Sequence, residues 1–412
     1  MTKEELLKIK ARLAEGKTQK EVGEEFGYSR SYISDVCRGL VDGISLNEDT
    51  SEIDKLKTEI LHLKLERNLA LKKLKEAAKQ QGLFDCIVDE LVDVIEPFES
   101  PPLKAVSKPK GRLTEHLVMH MSDGHHDQIV VPSECGGLEK HDFSVSCCRA
   151  EKYVDTVLKW TQTTLANSYS FPKLTILCYG DFTSGEIHGA VTRSEFKNQF
   201  KNCLAIGELH ALMYRDLSTY FQDINVVYVP GNHGRRSKKK DYHGAHDNWD
   251  YLIAKIAELH CRDLKNVGFL IPDTFTFNIL VENNLFNLSH GDDVRSSLGI
   301  PWYGLERRQQ RFQLLMRQKD IRPNNRYFCC GHFHTPASIS GVDGEQLVNG
   351  AWVATDAYAY NSLGKMSEPI QLIHGVNEKH GVTWRLPVKL RDQEAELEGP
   401  KRYKIEVDNE TI

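Results

Sequence analysis

Short apolar, β-prone runs alternate with longer helical patterns over the C-terminal two-thirds of the chain. The predicted strands cover residues 116–121, 174–179, 224–229, 285–288 and 327–330. The helical patterns cover residues 149–167, 193–221 and 248–260, and later strands are expected at 346–353, 369–374 and 381–386. This alternation predicts an α/β layered domain, which we place at residues 112–392. Residues 393–412 form a charged tail that we expect to be loosely held.

Residues 1–42 show a different pattern, that of three short helices. Thr18 with Glu21 matches a capping box at the start of the second helix. Gly27 follows that helix in a tight turn, Ser29 can cap the third helix, and Ile33 faces inward. The second helix, the turn and the start of the third helix resemble a helix-turn-helix of the resolvase or repressor type.

In a helix-turn-helix the third helix faces DNA. The resemblance therefore implies DNA contacts by Arg30, Ser31 and Tyr32. The alternative is a small helical packing module with no role in DNA binding, because glutamates offset the lysines over most of this region.

Residues 43–98 are expected to be a helical, coiled-coil-like segment. Within residues 51–80, apolar side chains recur at heptad core positions, namely Ile53, Leu56, Ile60, Leu63, Ala70, Leu74 and Ala77. We favour a homo-oligomer formed through this long helix; the alternative is a helix packed on its own catalytic domain. A second apolar helix at 84–98 is expected to fold back on the first, and residues 99–111 are typical of an exposed linker.

Composition narrows the possible partners and compartments. A chain of 412 residues with 40% hydrophobic residues can form more than one domain and a sizeable core. Its net charge of −5 gives no overall attraction to nucleic acid or membrane, so any such attraction is local. We expect no signal peptide, no membrane span and, because the cysteines lack CxxC spacing, reduced core thiols. These features predict a cytoplasmic protein without a membrane partner.

Each of the first five predicted strands is followed by residues that can bind a metal. These residues are Asp123, His125, Asp181, Asn232, His233, His290, His332 and His334. Polar residues at the ends of several buried strands converge on one rim of a sheet, so we expect this set to form one site. Carboxylate, amide and imidazole groups suit Mn²⁺, Zn²⁺ or Fe.

The order of these motifs resembles the calcineurin-like metallophosphoesterase superfamily over residues 113–390. The resemblance implies a two-sheet sandwich flanked by helices and two divalent metal ions, Mn²⁺ first, with Zn²⁺ or Fe as alternatives. One ion would be held by Asp123, His125 and His334. The other would be held by Asn232, His290 and His332, and Asp181 would bridge the two.

The same resemblance implies hydrolysis of a phosphoester. Two ions about 3.5–4 Å apart would polarise the phosphoryl group and activate a bridging hydroxide for in-line attack on phosphorus. His233 would not bind metal; it would contact the phosphate and protonate the leaving oxygen. His126, beside His125, is expected on the loop surface.

A basic run follows His233 directly. It contains Arg235, Arg236, Lys238, Lys239 and Lys240, which could hold an extended phosphate backbone. The alternative is a solvated loop whose charges bind nothing.

Three functions remain open at this stage. The first is a two-metal DNA phosphodiesterase delivered by the helix-turn-helix; its architecture resembles phage-encoded members of the nuclease branch of the superfamily. The second is a phosphatase or phosphodiesterase acting on small molecules or phosphoproteins. The third is a DNA-binding assembly protein with a vestigial catalytic domain, which the full set of candidate ligands disfavours.

Overall fold

The computed structural model describes residues 3–37, 83–99, 102, 111–187, 190–240, 244–296, 300–317, 322–341 and 344–406. The chain divides into two compact units, Met1–Gln81 and Gly82–Ile412. The long helix expected at residues 51–80, and the coiled coil proposed for it, lie outside the described residues.

The smaller unit contains three helices, α1 (Lys3–Ala14), α2 (Gln19–Phe26) and α3 (Arg30–Cys37). Thr18 and Glu21 form the expected capping box, and Gly27 ends α2 with a φ of 74°, which favours glycine. The small core of this unit consists of the buried side chains of Ile9, Val22 and Ile33. The three helices and their caps are therefore confirmed, whereas their role in DNA binding stays a prediction.

The larger unit is built from helices and two sheets. Its helices are α4 (Leu83–Val94), α5 (Phe143–Lys159), α6 (Gln199–Ser218), α7 (Trp249–His260), α8 (Trp302–Arg317) and α9 (Gln393–Glu398). Its strands are β1 (Leu113–Met121), β2 (Tyr169–Cys178), β3 (Asp223–Tyr228), β4 (Val267–Leu270), β5 (Thr276–Val281), β6 (Asn284–Ser289), β7 (Arg326–Cys330), β8 (Ala337–Gly341), β9 (Gly344–Val348), β10 (Ile370–Asn377) and β11 (Gly381–Lys389). Short 3-10 segments cover Pro132–Glu134 and Ala190–Arg193, and π-helical turns cover Trp160–Thr164 and Ala359–Leu363.

The topology of the sheets brings several strand ends to the same edge. The first sheet has the order β11-β10-β1-β2-β3-β4, in which β1 to β4 are parallel. The second has the order β5-β6-β7-β9-β8, in which β6, β7 and β9 are parallel. Parallel neighbours end at a common edge, so the loops after β1, β2 and β3 lie together, as do those after β6 and β7.

Alternating side chains hold the layers together. Val118 and Leu177 point from the first sheet into a core shared with Phe286 of the second sheet. The other face of the first sheet packs against α4 to α7. The other face of the second sheet packs Val348 against Leu305 of α8. In the described part of the chain, this helix–sheet–sheet–helix arrangement confirms the two-sheet sandwich expected from the sequence.

Helix α4 belongs to the core of the larger unit. Its Phe84 ring packs edge-on against Trp249 of α7, with centroids 5.0 Å apart, and Tyr251 donates a hydrogen bond of 2.9 Å to Asp85. The helix ends at Val94, four residues before the end of the apolar pattern. A truncation that removes the smaller unit should therefore keep all residues from Gly82 onward.

The expectation of a loosely held tail is wrong for residues 393–406. Helix α9 is ordered there, and Tyr403 is buried with its hydroxyl donating to Asp216 over 2.8 Å. Arg402 forms ion pairs with Asp155 and Asp216. One buried aromatic ring thus anchors a segment whose composition is mostly charged.

Two further expectations can be compared with the structure. Eight cysteines, which lie between Cys135 and Cys330, are buried free thiols, as the sequence predicted. No helix in the described ranges has the length and the apolar character needed to cross a membrane.

Candidate metal centre

The candidate ligands lie in the loops after three parallel strands of the first sheet and two parallel strands of the second. Strand β1 is followed by Asp123 and His125, β2 by Asp181, β3 by Asn232 and His233, β6 by His290, and β7 by His332 and His334. All of these residues are buried except three histidines, which are partly exposed: His233, His332 and His334. The sheets therefore bring together residues that are far apart in the sequence.

The donor atoms form three overlapping groups, in each of which they lie within 4.8 Å of one another. The groups are Asp123 with His125 and His334, His125 with Asp181 and His233, and Asp181 with His290 and His332. The first group matches one ligand set expected from the sequence, and the third contains His290 and His332 of the other set together with Asp181. Asp181 belongs to two groups, as a bridging carboxylate requires.

The two carboxylate oxygens of Asp181 face different neighbours. Its Oδ1 accepts a hydrogen bond of 2.7 Å from the backbone N–H of His233. Its Oδ2 lies 2.8 Å from Nε2 of His290. The carboxylate is thus held through both of its oxygens.

The backbone at the centre is strained. Among the described residues, eight other than glycine have a positive φ, and five of them are candidate ligands: Asp123 (52°), His125 (41°), Asp181 (57°), His332 (65°) and His334 (55°). Each such residue costs on the order of 1–3 kcal/mol and persists only where the surroundings fix it. The concentration of strain at these residues indicates a functional site.

Two glycines allow the loops to approach the carboxylates. A Cβ on Gly231 would lie 2.1 Å from Oδ1 of Asp181, and one on Gly331 would lie 2.1 Å from Oδ2 of Asp123. Any larger residue would displace a candidate ligand. This contact explains why glycine precedes Asn232 and His332 in the sequence.

Two buried ligand atoms have no hydrogen-bond partner among the described residues: Nε2 of His125 and Oδ1 of Asn232. A buried polar atom without a partner costs about 1–3 kcal/mol, so native structures rarely keep one without a reason. Both atoms are lone-pair donors of the kind that bind Mn²⁺, Zn²⁺ or Fe. The residues present therefore fit two divalent ions.

His290 is oriented for ligation by a backbone contact. A carbonyl can only accept, so the 2.9 Å contact between Nδ1 of His290 and the Tyr179 carbonyl places a proton on Nδ1. Nε2 is thereby turned toward Asp181 and lies 3.3 Å from Nδ1 of His332. Metal-binding histidines commonly have their second nitrogen held in this way.

The electrostatics of the centre favour a positive charge beside Asp181. Burial lowers the pKa of His290, but the charge of Asp181 outweighs it and raises that pKa to about 10. Burial raises the pKa of Asp181, but the neighbouring histidines, His290 first, hold it well below its usual value. Both shifts have one origin, the attraction between a buried carboxylate and a cation.

His233 is oriented by a hydrogen bond to one of its two ring nitrogens. Its Nδ1 lies 3.0 Å from the Ser184 carbonyl and therefore carries a proton. The ring packs edge-on against His125 with centroids 4.7 Å apart. This position suits proton transfer to a leaving oxygen, but the grouping with His125 and Asp181 also suits ligation. Its assignment as a non-ligand stays a prediction.

A buried amide network fixes the loop that carries Asp123. Ser122 donates to Oδ2 of Asp123 over 2.6 Å, and Asn349 donates to Ser122 over 3.1 Å. Gln371 accepts from the backbone N–H of Ser122 and from Asn349. Ser122, which holds the carboxylate, is thus itself held by two side chains more than 220 residues away in sequence.

Sequence reasoning missed Asp250, which holds the loops after β2 and β3. This buried residue on α7 accepts backbone N–H bonds from Asp181 (3.0 Å), Phe182 (3.0 Å) and Gly231 (2.8 Å). Burial, followed by the charge of Asp181, raises the pKa of Asp250 to about 6. One carboxylate therefore joins the loops after β2 and β3 at the point where they meet.

The expectation that His126 lies on the loop surface is wrong. His126 is fully buried, with its Nδ1 against the Ser146 hydroxyl and its Nε2 3.2 Å from Nε2 of His210. Burial lowers its pKa well below the ordinary value. His126 is thus part of a polar contact behind the centre, and the sequence contained no signal for its distant partner.

The basic run after His233 divides into engaged and exposed cations. Arg235 donates from Nε to the Asn232 carbonyl over 3.0 Å, and Arg236 pairs with Asp247 at 2.8 Å. Lys240 is mostly buried and pairs with Asp292 at 2.6 Å. Lys238 and Lys239 are exposed. Lys238 and Lys239 therefore extend into solvent five and six residues after His233.

The candidate DNA contacts of α3 are at the surface of the smaller unit. Arg30 and Ser31 are exposed, while Tyr32 is half-buried and stacks on Tyr28 with centroids 5.0 Å apart. Nothing in this arrangement distinguishes a DNA-binding helix from a packing module.

Comparisons with known proteins give limited information. No family model and no curated protein matches the chain. Among solved structures, an archaeal phosphodiesterase is 11% identical with a TM-score of 0.32, and the similarity covers 66% of this chain and 99% of that one. Vps29 from Entamoeba histolytica in complex with Zn²⁺ is 16% identical with a TM-score of 0.28, covering 67% and 99% of the two chains. The phosphoesterase Yfce from E. coli is 12% identical with a TM-score of 0.28, covering 66% and 100%. TM-scores this low carry no argument, so the case for a function rests on the metal centre itself.

Proposed function

We propose that the protein is a two-metal-dependent phosphodiesterase that cleaves DNA, with α3 of the smaller unit binding duplex. The observation that carries the proposal is the position of Asp181 in two groups of metal-binding atoms. The strained backbone and the buried atoms of His125 and Asn232 that lack hydrogen-bond partners support it, because both features are costly and cluster at functional sites.

Each ion would have its own protein ligands. Asp123, His125 and His334 would hold one, Asn232, His290 and His332 would hold the other, and Asp181 would contact both. Two such cations supply charge stabilisation for a phosphoryl group and lower the pKa of water, so that it becomes a nucleophile at neutral pH. Mn²⁺ is the metal we expect first, with Zn²⁺ or Fe as alternatives, because a mixed set of imidazole and oxygen ligands suits all three.

His233 would act on the leaving group. Its Nδ1–H is fixed by the Ser184 carbonyl, so a second proton would sit on Nε2, facing the reacting phosphate. The backbone N–H of the same residue is held by Asp181. The proton donor is thus positioned by the residue proposed to bridge the metals, which favours transfer in a fixed geometry.

The cations beside the centre support a nucleic-acid substrate. Lys238 and Lys239 extend into solvent a few residues beyond His233, where an extended strand would pass. The smaller unit would add duplex affinity through Arg30, and pairing of chains through residues 51–80 would double that contact. Phosphate contacts of this kind provide most of the sequence-independent affinity for DNA.

The deciding experiment uses the intact chain with Mn²⁺ and four substrates: labelled single-stranded DNA, labelled duplex, a chromogenic phosphodiester and a chromogenic monoester. We expect cleavage of DNA and of the small diester, with little turnover of the monoester. Replacing Lys238 and Lys239 by alanine should raise the KM for DNA more than the KM for the small diester.

Absence of DNA cleavage with any divalent metal, alongside turnover of a small ester, would contradict the nuclease proposal and favour a small-substrate enzyme. Absence of turnover on all four substrates would contradict catalysis altogether. If the lysine substitutions changed the KM for DNA and for the small diester equally, the result would contradict a role of this loop in holding a strand.

A further inference from the structure

A cavity of about 430 Å³ opens on the surface of the larger unit. We call it the side cavity, and its lining includes Glu186, Lys197, Phe200, Arg236 and Trp249. Its volume is within the range of small-molecule binding sites. None of these residues belongs to the metal centre, and the proposed hydrolysis does not use them.

The side cavity lies next to the metal centre on the side of His233. The loop containing Ser184 is held against His233 by the 3.0 Å hydrogen bond, and a Cβ on Gly185 would lie 1.9 Å from the His233 carbonyl oxygen. Glu186 follows two residues after Ser184, and Arg236 follows three residues after His233. Because consecutive Cα atoms are about 3.8 Å apart, the lining begins within roughly 11 Å of His233.

One wall of the side cavity is a rigid, exposed aromatic ring. Phe200 is 44% exposed, although it packs edge-on against Trp249 with centroids 5.0 Å apart and an angle of 86°. Trp249 is itself fixed by a 3.0 Å hydrogen bond from its Nε1 to Glu186. Asn198 caps the first turn of α6 and accepts from the backbone N–H of Phe200. The ring is therefore held in place while part of it faces solvent, as a stacking platform for a base would require.

Two cations lie at the same cavity. Lys197 has a positive φ of 50°, and among the residues that the structure describes no carboxylate forms an ion pair with it. Arg236 lies over the Phe84 ring at 5.5 Å and pairs with Asp247 in an exposed contact. Exposed pairs of this kind contribute little and exchange readily for a phosphate. With Glu186 included, two positive charges and one negative charge leave a net charge of +1.

We propose that the side cavity binds one nucleotide of a single strand, next to the phosphate held at the metal centre. Its base stacks on Phe200, and the adjoining phosphates contact Lys197 and Arg236. This inference rests on the proposed function, because it names the form of substrate that the centre would receive. An aromatic face beside cations matches the surfaces that bind single-stranded nucleic acid without reading its sequence.

The test measures equilibrium binding, so it does not depend on turnover. All proteins are full-length, loaded with Mn²⁺ and carry His233→Ala, which keeps the strand intact during the measurement. Fluorescence anisotropy is recorded with labelled octamers of thymidylate, of uridylate, and of a deoxyribose phosphate backbone without bases. The added variants are Phe200→Ala, Phe200→Trp, Lys197→Ala, and Tyr303→Ala as a control at an exposed aromatic outside the cavity.

Loss of one base–aromatic stack should weaken binding of the base-bearing strands by about 5- to 100-fold in Phe200→Ala. Binding of the strand without bases should be unchanged by that substitution. Phe200→Trp should restore affinity, and Tyr303→Ala should have no effect. Lys197→Ala should weaken all three strands alike and reduce the log–log salt slope by about 0.7. A Phe200 effect on thymidylate alone would identify DNA as the ligand, and an equal effect on uridylate would extend the site to RNA.

Two results would overturn the inference. One is an unchanged affinity of Phe200→Ala for base-bearing strands in a folded protein. The other is an equal loss for the strand without bases, which would mean that the substitution acts on the fold. The proposed function fails separately: if the protein with His233 cleaves no nucleic acid, the nuclease proposal is wrong even where the octamers bind through Phe200.

Discussion

The metal centre and the N-terminal helical unit differ in how strongly their structure indicates a function. At the centre, five candidate ligands have a positive φ and two buried donor atoms lack partners. In the helical unit, three helices enclose three buried apolar side chains, and the candidate DNA contacts Arg30 and Ser31 are simply exposed. Strain and unpartnered buried atoms are costly, so their presence needs a reason; exposed charge is ordinary on any soluble surface. The two regions thus call for tests of different kinds.

The largest effect should come from Asp181, the carboxylate that is shared by two groups of candidate ligands. Asp181→Asn removes a negative charge between both proposed cations and leaves the backbone contacts in place. Charge stabilisation by such ions amounts to several kcal/mol, so turnover should fall by at least ~10³-fold on DNA and on the small diester. The measurement is steady-state kinetics at saturating Mn²⁺, with circular dichroism to confirm the fold. Asp223→Asn, an exposed carboxylate at the start of β3, is the matched control. Turnover that survives in Asp181→Asn would contradict the bridging role.

His233→Ala should separate chemistry from metal binding. A general acid commonly contributes about 10²–10⁴-fold, so turnover should fall by that amount. The metal content, measured by mass spectrometry of the purified protein, should stay near that of the unmodified chain. The control is His380→Ala, an exposed histidine after β10 at the opposite end of the sheet. Loss of a bound metal together with activity would show that His233 is a ligand, which its grouping with His125 and Asp181 allows.

Asp250→Asn should weaken the site without removing a ligand. An amide has only one acceptor oxygen, so it cannot satisfy all three backbone N–H groups that the carboxylate now accepts. Loss of such a supporting contact commonly costs 10–100-fold in metal affinity or activity. A Mn²⁺ titration should therefore shift to higher concentration, and excess Mn²⁺ should restore turnover. Unchanged Mn²⁺ affinity would mean that the loops hold their shape without Asp250.

The smallest effect should come from the helical unit. Arg30→Ala removes one candidate phosphate contact, so the log–log slope of duplex binding against salt should decrease by about 0.9. Lys20→Ala makes the same charge change on α2, outside the proposed surface, and should leave the slope unchanged. Binding isotherms across a salt series provide both values. Identical slopes for the two variants would favour a packing module over a DNA-binding helix.

The clustering of the candidate ligands could be predicted from the sequence, because the information for it is local. Short motifs such as Gly231-Asn232-His233 follow apolar runs, and parallel strands bring their ends to one edge. The residues that hold the ligand loops in place could not be predicted, because they act through contacts between residues that are distant in the sequence. Asp250 acts through backbone groups of two other loops, and His126 is buried against His210, 84 residues away. Tyr403 likewise anchors a segment that composition alone presents as a charged tail.

The most direct test of the account is anomalous diffraction from crystals of the protein loaded with Mn²⁺. We predict two manganese peaks on either side of Asp181, one contacting Asp123, His125 and His334, and the other contacting Asn232, His290 and His332. A single peak, no peak among these residues, or two peaks that do not share Asp181 would contradict the two-metal centre on which the proposed function depends.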